Sequence, residues 1–278
     1  MSAGSAVSRE RTARHVGHVM GMPISLALRG RHAADEVGRG AWAEVMESLG
    51  RADEVFSTYR PDSFVSRLGR GELTPADCPP EVSDVLDLGE QASRTSGGAF
   101  SVHLPGPDGA TVLDPSGVVK GWAAERAAEA LRVLPETGFC LSAGGDIVCR
   151  TEDPDAAPWR IGIEDPADPQ RLVAVVPVVD GAVATSGSAH RGQHVVDART
   201  GRPPSGVAAV TVLSASLTEA DIDATSAYAQ GLAAATWLAS RPDRSGLVVW
   251  SDGSTTTVHD GAVVLPSATA TATSAGDR

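Results

Sequence analysis

Residues 184–227, ATSGSAHRGQHVVDARTGRPPSGVAAVTVLSASLTEADIDATSA, decide how the chain is read. A small-residue turn, a histidine, a Gly/Pro hairpin, a strand and an acidic helix start follow one another here, and they cannot all be core. Small and polar residues flanking short apolar runs let backbone approach a charged ligand closely. Asp221 and Thr225 stand four positions apart, so on a helix they share one face. A carboxylate, a hydroxyl and nearby backbone carbonyls make an all-oxygen donor set that suits Mg²⁺ better than zinc. The same acids, Glu219, Asp221 and Asp223, would also suit an ordinary helix N-terminus with no ligand.

The 278 residues allow one large domain or two modest ones, with enough chain to bury a substantial core. A net charge of −12 and the lack of a long basic run argue against nucleic acid or an anionic membrane as the main partner. A phosphate-bearing ligand therefore needs a local device, such as a metal or a helix N-terminus. Cys78, Cys140 and Cys149 are odd in number and show no CxxC or Cys/His spacing, so neither a disulfide framework nor a zinc site is expected. They read as buried small apolar residues. No apolar run is long enough for a signal peptide or a membrane span, from which a cytoplasmic protein without membrane insertion is expected.

Outward from the central stretch, residues 1–14 read as a disordered lead-in and 267–278 as a disordered tail, with one domain over 15–266. Residues 16–28 read as a first strand holding Met20 and Gly21, and 33–56 as an amphipathic helix with Val37, Trp42, Val45, Met46, Leu49 and Val55 inward. Tyr59 follows in a turn, where it would stack on a flat ligand or close the core, and a short helix capped by Asp62 or Ser63 comes next. A helix over 81–96 stops at Gly97 and Gly98. A strand is expected within 100–104, and a helix over 119–134 places Lys120 in its first turn, against the helix dipole. The stretch 139–147 reads as a strand ending in a Gly-Gly-Asp turn, which suits phosphate or ribose as well as a plain hairpin corner. Strands at 159–166, 172–179, 183–186, 194–197 and 207–214, a long helix over 218–238 and a terminal hairpin complete the reading. Connections too short for crossovers make the sheets antiparallel, and the fold class is α+β.

Eight motifs then occur in order: MGMP (20–23), FSTYRPDSFVSRL (56–68), DPSGVVKGWAAERA (114–127), AGGDI (143–147), WRIGIEDP (159–166), TSGSAHRG (185–192), HVVDARTGRP (194–203) and ADIDAT (220–225). Across residues 17–264 the chain resembles the ApbE-type FAD:protein FMN transferases. The resemblance implies a single-domain α+β enzyme that binds FAD and Mg²⁺, transfers FMN to a threonine hydroxyl of an acceptor flavoprotein and releases AMP. It places Mg²⁺ on Asp221 and Thr225, with backbone oxygen from Gly117 and a contribution from Ala224. It places flavin contacts at Met20, Tyr59, Ala99, Phe100, Asp114, Lys120 and Val196, and His194 beside the phosphates. A histidine there has an intrinsic pKa suited to a general base or proton relay. Ser101 stands where many members have Asp, and the 101–114 loop is shorter than theirs, which implies a more open pocket. Two other readings accompany the resemblance: an FAD-holding protein without transfer, and an FAD pyrophosphatase.

Overall fold

Met20 and Gly21 carry φ angles of 54° and 67°, the left-handed pair that a two-residue hairpin turn demands. The expected single strand over 16–28 is therefore two, β1 (Ala13–Val19) and β2 (Met22–Gly30), paired antiparallel. The computed structural model describes residues 12–106, 109–153, 155–188 and 195–264. The expected tail and most of the expected lead-in lie outside these, but Ala13 and Arg14 already pair with Leu28 and Ala27, inside the segment read as lead-in.

Four helices and a small hairpin follow β2. α1 (Glu36–Phe56) is capped by Asp35, whose carboxylate accepts the Gly38 N–H at 3.0 Å. It buries Ala41, Val45, Leu49 and Val55, while Val37, expected inside, is half exposed. α2 (Phe64–Gly69) is capped by Ser63 and not Asp62. α3 (Pro80–Thr95) ends where Gly97 and Gly98 turn left-handed, with the Gly98 N–H donating back to the Ser93 carbonyl. β3 (His103–Pro105), which overlaps the end of the strand expected within 100–104, pairs with β4 (Thr111–Leu113). α4 (Ser116–Arg132) starts earlier than expected, so Lys120 lies past its first turn.

β5 (Thr137–Ala143) and β6 (Asp146–Arg150) make a hairpin around Gly144 and Gly145. Among the described residues β7 (Trp159–Asp165) and β8 (Asp168–Val178) pair only with each other, forming an arm outside the main sheet. β9 (Asp180–Gly187) and β10 (Val207–Ser214) return to it. α5 (Leu217–Ala229) is followed by a tight turn at residues 231–233 and by α6 (Ala234–Ala239). Gly231, at φ 59°, breaks what the apolar pattern reads as one helix. β11 (Ser245–Trp250), β12 (Thr255–His259) and β13 (Ala262–Val264) finish the described chain. Of the strand expected over 194–197, residue 194 lies outside the described residues, and Asp197 makes an isolated bridge to Arg202.

The main sheet runs β1-β2-β5-β6-β9-β10-β11-β12-β13, in chain order and antiparallel throughout. This meander is the α+β arrangement expected from short connections, with helices inserted between β2 and β5 and between β10 and β11. One face carries the large core, in which Leu26, Phe139, Leu141 and Val148 meet Val45, Leu131 and Leu217. On the other face the β7–β8 arm packs Trp159, Ile161 and Val178 over Ala27, Cys149 and Val183. The Arg29 guanidinium lies 3.7 Å from the Trp159 ring centre and donates to the Ala157 carbonyl, holding the arm's base to β2. Of the cysteines read as buried, Cys149 is; Cys78 and Cys140 are partly exposed, and all three are free thiols. Among the described residues no helix is long and apolar enough to cross a membrane.

Candidate active site

α5 is buried almost along its whole length, so its polar residues need partners within the protein. Its first turn is satisfied from α4: the Glu125 carboxylate accepts the N–H groups of Leu217 and Thr218 at 3.1 Å, and also the hydroxyls of Ser216 and Thr218. An acid at this end also suits the helix dipole. The two helices approach at Gly121, where a Cβ would lie 2.7 Å from the Asp221 Cβ and 2.8 Å from the Leu217 carbonyl oxygen. Only glycine permits that approach, and its N–H donates to Asp221 Oδ2 at 2.9 Å. Asp221 is thus aimed by α4 as much as by its own helix.

Lys120 precedes that glycine and extends its ammonium between two carboxylates, 2.6 Å from Asp146 Oδ2 and 3.3 Å from Asp221 Oδ1. Asp146, at the start of β6, is 2% exposed and Asp221 1%. The other Asp146 oxygen accepts the Thr185 N–H from β9 at 3.0 Å. Beside them the Thr225 hydroxyl shares a 2.8 Å hydrogen bond with Ser186. Burial drives the Asp221 carboxyl up to about 7, against the pull of Lys120 and with a push from Asp146. Burial also opposes the Lys120 charge, but Asp221 and Asp146 outweigh it and hold its pKa above the ordinary lysine value. Among the described residues one ammonium faces two buried carboxylates, which leaves the group one positive charge short when both are ionised. A hard divalent cation suits that deficit and the oxygen donors around it. Among the described residues no three His, Cys, Asp or Glu side chains group as a metal site, so a cation would also draw on hydroxyl and backbone oxygen.

These residues open on a cavity of about 260 Å³ between α4, α5, β9 and the tip of the β7–β8 arm. Of the residues expected to bind cofactor, Ala99, Phe100, Asp114, Lys120 and Val196 line it, and of the metal set Gly117, Asp221 and Thr225 do. Gly117 is another close approach, since a Cβ there would lie 2.8 Å from the Phe100 ring. Asp114 accepts the Ser116 N–H at 3.0 Å at the start of α4. The Ala198 N–H donates to the Ala99 carbonyl at 3.0 Å, tying the segment after Val196 to the cavity wall. Ser101, the departure noted in the sequence, lines the cavity and accepts the His103 N–H.

The structure does not bring every expected residue to the lining. Met20 sits at the left-handed hairpin turn, Tyr59 is 96% exposed and closes no core, and Ala224 is wholly buried within α5. His194 lies outside the described residues. Sequence reasoning missed Asp146 as a partner of Lys120, and Gly162, Ile163 and Glu164 as cavity wall. The Gly-Gly-Asp turn was a signal for the first, and the WRIGIEDP motif (159–166) for the second.

The sequence profile of the ApbE family matches residues 20–106 and 104–248. The FAD:protein FMN transferase of Vibrio cholerae is 35% identical over 129 residues, 43% of this chain and 39% of that protein. The Escherichia coli K12 protein of the same name is 32% identical over 119 residues, 39% of this chain and 34% of that protein. The chain thus matches less than half the length of these relatives. Among solved structures, the apo flavinyl transferase ApbE of Pseudomonas stutzeri superposes with a TM-score of 0.77 at 23% identity, over 92% of this chain and 98% of that one. The Thermotoga maritima apbe protein gives 0.75 at 19% identity, over 90% and 97%. These structures share the fold described above, and the profile spans the cavity from Phe100 to Thr225: the chain belongs to the ApbE family.

Proposed function

We propose that this chain is a Mg²⁺-dependent transferase that moves the FMN moiety of FAD to a threonine hydroxyl of an acceptor flavoprotein and releases AMP. The observation that carries the reading is the convergence of Lys120, Asp146 and Asp221 at one end of a cavity walled by Ala99 and Phe100, in a chain of the ApbE family. The Vibrio cholerae and Escherichia coli relatives bear the name of this activity.

Attack of a hydroxyl on a pyrophosphate builds negative charge on the transferring phosphoryl group and on the departing nucleotide. Bound Mg²⁺ would neutralise that charge. Asp221, Thr225 and the Gly117 backbone oxygen are the residues proposed to hold it, and buried Ala224 offers backbone alone. Lys120 would face phosphate, as a cation at the cavity wall. Ala99, Phe100 and Val196 supply apolar surface for the flavin ring, and Asp114 a polar edge. Met20 and Tyr59 would meet the flavin only from outside the cavity described. The acceptor hydroxyl must lose a proton, for which the sequence offers His194.

The test is to incubate the chain with FAD and Mg²⁺, with and without a threonine-bearing flavoprotein, and to follow AMP. AMP formed only with acceptor, together with flavin that stays on the denatured acceptor, supports transfer. AMP without acceptor means hydrolysis of FAD, and bound flavin without AMP means a flavin-holding protein.

A further inference from the structure

Asp146 belongs to none of the residues that the family resemblance assigns, yet it is the nearer of the two carboxylates to the Lys120 ammonium, at 2.6 Å against 3.3 Å for Asp221. It is 2% exposed, and its Oδ1 is fixed by the Thr185 N–H, which leaves Oδ2 to point at the ammonium. Among the described residues Oδ2 receives no aligned hydrogen bond; the contact with Lys120 is an ion contact outside hydrogen-bond geometry. The ammonium is held there by charge and not by an aligned donor, so a spherical cation, which makes no angular demand, can take the same position.

We infer that Asp146 is a further donor of the cation site, that it shares one cation position with Asp221, and that Lys120 is the exchangeable occupant of that position in the metal-free chain. Entry of a divalent cation displaces the Lys120 ammonium toward the cavity, whose wall it already forms. The displaced ammonium then faces the space where an anionic ligand sits. Metal and a phosphate-bearing ligand therefore bind with positive coupling: each makes the other's position electrostatically favourable. This deepens the transferase reading and rests on it for the identity of the metal.

The experiment is calorimetric titration of Mg²⁺ into the flavin-free full chain and into Asp146→Asn and Lys120→Met, with thermal melts in Mg²⁺ and in EDTA. The expected result is Mg²⁺ affinity at least about tenfold weaker in D146N, since the metal loses a charged donor, and tighter than wild type in K120M, since no ammonium competes. K120M should also melt lower than wild type in EDTA and recover most of that loss in Mg²⁺. Wild-type affinity in D146N overturns the donor role, and wild-type or weaker affinity in K120M overturns the exchange. If K120M does not fold in EDTA, its recovery by Mg²⁺ remains a readout, and the isosteric D146N stands by itself. Wild-type chain that binds Mg²⁺ with Asp221 required but Asp146 indifferent sinks this inference and spares the transferase reading. Wild-type flavin-free chain that binds no Mg²⁺ also overturns this inference, and AMP release in the presence of FAD and Mg²⁺ then decides the transferase reading by itself.

Discussion

Two carboxylates on α5, two residues apart and equally buried, live in opposite surroundings. Asp223 turns away from the cavity and meets two guanidinium groups, Arg241 at 3.1 Å and Arg244 at 2.8 Å, the latter also paired with exposed Glu219 at 2.7 Å. Asp221 turns toward the cavity, where among the described residues a single ammonium serves it and Asp146 together. Burial raises both carboxyls, and two arginines oppose the rise at Asp223, whereas at Asp221 a neighbouring carboxylate adds to it and the value reaches about 7. The difference separates a carboxylate fully served by its neighbours from one that is not. Surplus positive partners lock a helix in place, while a deficit of positive charge is a cost that a ligand relieves.

Substitution at the two positions is the strongest way to break this comparison. Asp223→Ala strands two partly or wholly buried arginines and should cost about 3–5 kcal/mol in urea unfolding, with Mg²⁺ affinity unchanged in whatever fraction stays folded. A loss below 1 kcal/mol, roughly the worth of an exposed pair, would remove its structural role. Asp221→Ala should do the reverse, lowering FAD turnover by about 100-fold or more while the chain still folds. Near-wild-type turnover at saturating FAD and Mg²⁺ would place the metal elsewhere.

Gly121→Ala tests how Asp221 is aimed. Alanine gains about 1 kcal/mol in helix propensity, but a Cβ 2.7 Å from Asp221 and 2.8 Å from a carbonyl forces α4 and α5 apart. Overpacking of this kind costs about 1–3 kcal/mol, so the variant should be destabilised or near neutral and should bind Mg²⁺ more weakly. Full affinity would show that the helix spacing does not set the site.

The smallest expected effect is one of pH. The folded, metal-free chain holds the Asp221 proton up to about 7, whereas the unfolded chain releases it near 3.8. Between those values the unfolded state binds fewer protons, so stability falls as pH rises. Relative to Asp221→Asn, wild type in EDTA should be favoured at pH 4 and lose at least about 1.4 kcal/mol of that advantage by pH 7. A pH-independent difference between the two would mean that Asp221 is ionised throughout, fully served by Lys120.

Much of the fold is legible in the residues because its determinants are local. Alternation along 137–143, the cap at Ser63 and the left-handed pair Gly97 and Gly98 each act within a few positions, and short connections impose antiparallel pairing. The misreadings share a different cause. Met20 has a side chain, so nothing in its type announces a positive φ; the hairpin forms because its two strands pair, and the turn follows. The α5 pattern stays apolar past Gly231, and beyond the break α6 packs against β11, β12 and β13. The β7–β8 arm has the composition of any sheet strand, and only its burial over Cys149 and Val183 takes it out of the main sheet.

The candidate site divides along the same line. By itself the sequence determined the oxygen-rich chemistry, the shared helical face of Asp221 and Thr225, and the order of motifs that marks the family, because residue type and short spacing are properties of the chain. Tertiary structure alone decided that Lys120 reaches between Asp146 and Asp221, that Asp223 is a strut and that Tyr59 faces solvent. Each of these depends on which element packs against which, and the electrostatic worth of a charge is set by the neighbours and the burial that packing assigns to it.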